Sequence, residues 1–335
     1  MRILVTGGAG SIGAYVVRDL LARGDEVTIV DDFNDFYDPQ LKRVRLAALV
    51  GGNQQPTVLE VDITDEDTLK HAFSTARPEK VIHLAAWPSV RPSITHPLHY
   101  TRQNVDGTVN VFQRSIENNV QGVVFASSSS VYGRNTPAPY REDSPCDQPL
   151  SPYGASKRMG ELYASMTHYL HKLPMTCLRF FTVYGPWVRP DMALWRFTEK
   201  IHQGEAITMR RVAPDGAEVK RDFTYVEDVS QGVLAALDRL SAFGIINIGN
   251  DDPVTIPRFV SAIEAGLGRK AQTREEPLGA EEAIVTAADL THAKERLGYQ
   301  PTVSFEEGAQ RFTRWYQEEF LRAFPKGLAK SKYWN

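Results

Sequence analysis

The feature that most constrains this chain is a glycine-rich turn near its beginning. The run Gly7-Gly8-Ala9-Gly10-Ser11-Ile12-Gly13 follows an unbroken apolar stretch, Ile3–Thr6. Such a stretch reads as a strand covered on both faces. Beyond the turn, Ser11–Arg23 repeats apolar residues at Ile12, Val16 and Leu20, and again at Val17 and Leu21, which is helical spacing. Gly24 stands where a helix ends, and Glu26–Val30, closed by Asp31, reads as a second strand. So tight a turn needs backbone angles that glycine alone adopts cheaply. Without a Cβ, the backbone can approach a pyrophosphate seated at the positive helix N-terminus. An acid ending the second strand accepts from ribose hydroxyls and repels a 2′-phosphate, favouring NAD over NADP. Gly7, Gly10, Ser11, Ile12, Gly13 and Asp31 are therefore expected to contact NAD. Asp62, after the third strand, is expected either beside the adenine or as the cap of the following helix.

The strand and helix alternation continues. Strands are expected at Thr57–Val61, Lys80–Leu84, Val120–Ser127 and Met175–Phe180, with helices at Asp65–Thr75, Val105–Asn118 and Tyr153–His171. This order predicts an α/β fold with a Rossmann-type, doubly wound parallel sheet and right-handed crossovers. The second half is broken by Pro186, Pro190, Pro214, Pro253, Pro257 and Pro277. Helical patterns there cover Met192–Gln203, Val226–Arg239, Pro257–Leu267, Leu290–Leu297 and Phe305–Phe320. We divide the chain into an NAD-binding domain, residues 1–181 with a return around 223–248, and a smaller α/β substrate domain, residues 182–222 and 249–322. Residues 323–335 read as a basic, solvated tail.

Composition narrows the function classes. A net charge of −3 over 335 residues offers no basic excess for nucleic acid or an acidic membrane. No apolar run approaches the roughly 18 residues of a spanning helix, and Met1–Thr6 is too short for a secretory leader. The two cysteines, Cys146 and Cys177, read as free thiols. A cytoplasmic enzyme is expected. His96 and His99, like His168 and His171, lack partners at metal-site spacing, so no metal is expected.

The chemistry is carried by Tyr153-Gly154-Ala155-Ser156-Lys157, which puts tyrosine and lysine on one helix face. A free phenol titrates near about 10. A nearby ammonium, and the positive nicotinamide of NAD, would lower that value and make the phenol a base for a hydroxyl proton. Ser127-Ser128-Ser129-Ser130 ends the fifth strand at the edge where such sheets bind ligands. A serine there can share the substrate oxygen with the tyrosine.

Taken together, these runs resemble the extended short-chain dehydrogenase/reductases of the sugar-nucleotide epimerase and dehydratase group. The resemblance rests on Thr6–Gly13, His83-Leu84-Ala85-Ala86, Ser127–Gly133 and Ser151–Lys157, and extends along nearly the whole chain. It implies Ser128, Tyr153 and Lys157 as the catalytic set. It adds Asp62, Ile63, Leu84, Ala85, Ala86, Asn104 and Phe180 to the cofactor contacts, with His83 in a supporting position. It also implies a homodimer paired through Val105–Asn118 and Tyr153–His171.

Within the group, Asn34–Lys42 and Leu178–Trp187 followed by Arg189-Pro190-Asp191-Met192-Ala193 resemble the UDP-glucuronate 4-epimerases. Dehydratases of the group carry acids before the Val-Tyr-Gly run, and the decarboxylases a glutamate at the position of Ser130. This chain has only serine there, so elimination lacks its agent. The resemblance implies 4-epimerisation of UDP-glucuronic acid through a 4-keto sugar. The alternatives are UDP-glucuronate decarboxylation, or 4-epimerisation of another nucleotide sugar such as UDP-glucose. A binding protein that has lost catalysis is a third class, disfavoured by the intact Ser128, Tyr153 and Lys157. Ser130, Thr182 and Arg189 are expected at the sugar carboxylate, since a guanidinium grips a carboxylate bidentately. Arg221 is expected at the pyrophosphate of a UDP-sugar acid, and Asp228 as a helix cap. Trp87-Pro88-Ser89-Val90-Arg91 departs from the group's Gln-Ala-Gly-Val-Arg beside the sugar pocket. Pro277–Ala283 departs near the nucleotide.

Overall fold

The structure is a computed structural model, and it describes residues 1–334 apart from 53, 135, 212–215, 241 and 279–282. Pro214 and residues 279–282 of the Pro277–Ala283 run therefore lie outside the described residues.

Seven parallel strands form the central sheet in the order β3-β2-β1-β4-β5-β6-β10. They are β1 (Arg2–Thr6), β2 (Glu26–Asp31), β3 (Thr57–Glu60), β4 (Lys80–His83), β5 (Val123–Ser128), β6 (Met175–Phe180) and β10 (Phe243–Ile248). The winding reverses between β1 and β4. That switch point is where open α/β sheets bind ligands, outside the carboxyl ends of the strands. β1 is continuous and buried because helices cover both its faces. Ile3 and Val5 pack with Val16, Val17 and Leu20 of helix Gly13–Ala22, while Leu4 joins Leu69 and Phe73 on the other side.

The chain leaves this sheet at Phe181. β7 (Thr182–Tyr184) pairs with β9 (Lys220–Tyr225), which pairs with β11 (Pro253–Thr255), in a second sheet. β8 (Ala206–Met209) pairs with β12 (Gln272–Glu275) in a third. An aromatic core underlies these elements, with Trp195 in edge contact with Phe312, Trp315 and Phe320. The return to the central sheet begins later than residue 223. β9 belongs to the second sheet, and helix Val226–Asp238 with β10 makes the return.

Three expectations need correction. The terminal segment is not a solvated tail. Ser331 Oγ and Trp334 Nε1 donate to the Phe36 carbonyl at 2.6 and 3.1 Å, and Tyr333 stacks on Phe36. Its aromatic residues cover the Phe36 loop, and its basic Lys332 pairs with Asp35. Asp228 does not cap its helix: it sits inside it and accepts from Thr302 and Val303. Asp62 does not cap either. Asp65 holds that place, bonded to Thr68 N, while Asp62 closes a local turn with Thr64. Among the described residues, no helix is long and apolar enough to cross a membrane.

Candidate active site

The glycine turn packs backbone against backbone. Gly7 has φ +69°, and a Cβ there would lie 2.6 Å from Ala85 N. A Cβ on Gly13 would lie 2.1 Å from the Gly7 carbonyl oxygen. Only hydrogen fits at either position. The turn opens onto a cavity of about 370 Å³ along the carboxyl edge of the sheet. Gly10, Ser11 and Ile12 line it. Ile63, Leu84, Ala85, Ala86, Lys157 and Phe180 line it as well. A backbone cradle that a Cβ would fill, followed by a long groove, fits a dinucleotide.

Asp31 also lines this cavity, but its carboxylate is already engaged. It accepts from Ala9 N at 3.1 Å, Phe33 N at 2.9 Å and Lys42 Nζ at 3.0 Å. Its neighbour Asp32 lines the cavity too and is less buried. Burial pushes the Asp32 carboxyl up, against the charge of Lys42. Asp62 and Asn104 fall outside the lining. Gln103 reaches Asp62 at 3.3 Å, and buried Asn104 bonds both the N–H and the carbonyl of Trp87. His83 lies beneath the groove between the hydroxyls of Thr6 and Thr108, and burial pulls its imidazole down to about 3. It is a neutral strut.

Tyr153, Lys157 and Ser128 converge at the far end of the groove. Ser151 caps their helix, Pro152–His171, by accepting from Gly154 N at 3.1 Å. Ser128 accepts from Ser130 N at 3.1 Å, which turns the end of β5 into the serine loop. Lys157 is buried and donates to the Ala126 carbonyl at 2.7 Å; burial lowers its ammonium to about 7. Burial likewise pushes the Tyr153 phenol up, offset in part by the Ser128 hydroxyl and the charge of Arg189. The expected acidified phenol is thus not a property of the protein alone. Burial works against the charge of Lys157 and against the ionised form of Tyr153 alike.

The groove meets a second cavity of about 670 Å³. Ser89, Val90, Ser129, Ser130 and Thr182 line both and form the seam between them. Arg189 stands on the groove side. Its Nε and Nη2 hold Asp191 at 2.9 and 3.0 Å, and Nη2 also donates to Ser89 Oγ at 3.2 Å. It is neither an exposed surface arginine nor an unengaged fork. Arg221 lines the second cavity rather than the groove and donates to the Ile284 carbonyl at 3.0 Å. Among the described residues, Arg91, Arg196, Lys200, Arg210 and Arg221 line that cavity with the carboxylates Asp191 and Glu276. Such a wall favours an anionic ligand.

Sequence reasoning missed several contributors. Arg45 is fully buried and donates to the carbonyls of Trp187 and Ala9 at 2.6 and 2.8 Å, tying the glycine turn to the substrate side. Asp32, which the sequence does not single out, lines the groove too, as do Lys42, Trp87 and Met192 from runs that it does mark. The Asn34–Lys42 resemblance flagged part of this set; nothing in the residue types marked Arg45 as buried.

Residues 3–249 match the family described as the NAD-dependent epimerase/dehydratase family. UDP-glucuronate 4-epimerase 5 of Arabidopsis thaliana is 39% identical, over 100% of this chain and 78% of its own. Protein CapI of Staphylococcus aureus is 36% identical, over 96% of this chain and 100% of its own. The crystal structure of UDP-glucuronic acid 4-epimerase from Bacillus cereus, in complex with UDP-glucuronic acid and NAD, is 32% identical with a TM-score of 0.86, covering 95% of this chain and 99% of that one. A glycine cradle opening onto a groove that ends at Tyr153, on a chain similar throughout its length to these proteins, belongs to the NAD-dependent epimerase/dehydratase family.

Proposed function

We propose that this protein interconverts UDP-glucuronic acid and UDP-galacturonic acid by NAD-dependent epimerisation at carbon 4. The observation that carries the reading is the seam. Tyr153, Ser128 and Arg189 line the dinucleotide groove beside Ser130 and Thr182, which the groove shares with a cation-lined cavity. The relatives' names supply the sugar. The glycine turn, Asp31, Asp32 and residues 84–86 hold the cofactor, and residues 1–181 with the β10 return form its domain. Arg221 and its cationic neighbours take the UDP diphosphate in the domain of residues 182–222 and 249–322.

NAD bound in this groove would supply the hydride acceptor and donor for carbon 4 and a positive ring that favours the phenolate. Tyr153 removes the proton of the sugar's 4-hydroxyl and later restores it. Ser128 hydrogen-bonds the same oxygen. Lys157, held by the Ala126 carbonyl, stays beside the tyrosine on one helix face. Ser130, Thr182 and Arg189 hold the uronic carboxylate, so that the 4-keto acid does not lose carbon dioxide.

The enzyme works in the cytoplasm as a homodimer. The exposed face of helix Pro152–His171 supports pairing. Met159, Leu162, Tyr163, Met166, Tyr169 and Leu170 form a stripe at helical spacing, 38–73% exposed. Surfaces of this kind mark interfaces.

The test is incubation of the purified protein with UDP-glucuronic acid and product analysis by NMR. UDP-galacturonic acid is expected. Tyr153→Phe should lower kcat by about 10²–10⁴-fold, the usual contribution of general acid–base catalysis, while still binding NAD. A pentose product with carbon dioxide, or full activity in Tyr153→Phe, refutes the reading.

A further inference from the structure

The loop between β4 and the Val90–Thr95 helix carries a residue in an unfavourable conformation. Ser89 has φ +79° and ψ 137°. Residues with a Cβ rarely adopt this region, and outliers of this kind cluster where the surroundings hold them for function. The hydroxyl of Ser89 is not used on its own helix, whose start has no side-chain cap. It donates instead to Asp191 and accepts from Arg189 Nη2 at 3.2 Å. The partners lie 102 and 100 residues away in sequence. Ser89, Arg189 and Asp191 thus close a ring of hydrogen bonds across the groove, and Ser89 lines both cavities.

We propose that Ser89, acting with Asp191, is the positioning residue that orients Arg189 for the acidic group of the sugar, and that it thereby sets preference for a uronic acid over a neutral hexose. This rests on the function proposed above. Asp191 occupies Nε and one edge of Nη2, and Ser89 accepts from Nη2 as well. That leaves the two Nη1 hydrogens without a hydrogen-bond partner among the described residues. A guanidinium held on two sides keeps one plane and offers one edge, so a carboxylate meets donors that are already ordered. Removing the hydroxyl takes away one of the contacts at Nη2, which keeps Asp191 and Met192 Sδ, and lets Asp191 and the guanidinium shift together. A neutral hydroxymethyl group gains little from that edge and loses little when it moves.

Backbone strain and hydroxyl chemistry make separable predictions. Ser89→Gly relieves the strain and removes the hydroxyl; Ser89→Ala removes the hydroxyl alone. Both should raise KM for UDP-glucuronic acid roughly two- to tenfold, the net worth of one ordinary hydrogen bond, because the lost contact acts on the substrate only through Arg189. KM should change more than kcat, and UDP-glucose and NAD dissociation constants should move less than about twofold, within ordinary context effects. Only Ser89→Gly should raise Tm. Wild-type kinetics in both variants overturn the proposal, as does an equal loss of affinity for UDP-glucose, which would mean that the hydroxyl only shapes the loop. If the wild-type protein does not bind UDP-glucuronic acid, the function reading fails and this inference with it. If the wild type turns the substrate over and the variants match it, this inference alone fails.

Discussion

Gly13→Ala tests whether the turn is built for a pyrophosphate. The added Cβ would sit 2.1 Å from the Gly7 carbonyl oxygen and 2.8 Å from Gly8 Cα. Ordinary van der Waals contact is about 3.4–4 Å. The two strands of the turn must therefore separate by about 1 Å, and both obstacles are backbone, with no flexible side chain to swing away. Overpacking of this kind costs about 1–3 kcal/mol. Because the displaced groups are the ones that would face the diphosphate, most of that cost should appear in binding. At about 1.4 kcal/mol per decade, the dissociation constant for NAD should rise roughly 5- to 150-fold. Isothermal titration on cofactor-free protein measures it. Gly24→Ala is the control. That residue also has positive φ, +86°, but nothing lies within 4 Å of a Cβ there. It should lower Tm slightly and leave NAD affinity alone. Unchanged NAD affinity in Gly13→Ala, or equal loss in both variants, would refute the reasoning.

Lys157 should leave a mark on stability against pH. Burial lowers its folded value to about 7 from 10.5. Below 7 both folded and unfolded chains carry the proton; between 7 and 10.5 the unfolded chain binds more, so stability rises with pH, by at most about 1.4 kcal/mol per unit. Urea unfolding of cofactor-free protein at pH 7 and 9 should show this rise in the wild type relative to Lys157→Met, and parallel profiles would contradict it. On the exposed stripe, Leu162→Glu combined with Met166→Glu should convert a dimer to a monomer in sedimentation velocity. A wild-type monomer, or a dimer that survives both changes, argues against pairing through that face.

The fold was legible where burial follows apolar periodicity. β6 and most helices fall within a few residues of their expected bounds, because each buries an aliphatic face. Helix Pro39–Leu49 was not readable as a helix. Its buried residues are Leu41, Lys42 and Arg45, so its inward face is mostly charged and carries no apolar rhythm. Charged side chains are assigned to solvent unless a partner is in view. The partners here, Asp31 and the carbonyls of Ala9 and Trp187, are brought near only by the tertiary fold. The same limit explains the terminal segment. Its lysines suggested solvent, while the ring of Tyr333 and the indole of Trp334 find a surface on Phe36 that no local pattern announces. Tyr153 and Lys157 share the helix that their spacing indicated, while burial, which spacing does not show, disfavours the charged form of each in the cofactor-free chain.

The distribution of carboxylates ties the site's architecture to its chemistry. Glu161 lies under the serine run, bonded to Ser127 Oγ at 2.6 Å and gripped by Arg179 through Nε and Nη2 at 2.8 and 2.9 Å, with Arg158 also at 2.9 Å. Asp191 lines the second cavity and is held by Arg189 and Ser89. Each has its oxygens committed to guanidinium and hydroxyl donors, so neither is placed to shuttle protons. Expelling water from a keto sugar calls for an acid and a base at separate carbons. Turning a hydroxyl over calls for one proton carrier, used in both directions on the same oxygen. Among the described residues beside Ser128 and Ser130, Tyr153 is the group suited to that task. A chain that locks its nearby acids into structure and leaves one phenol at the end of the groove is arranged for a reversible inversion rather than an elimination.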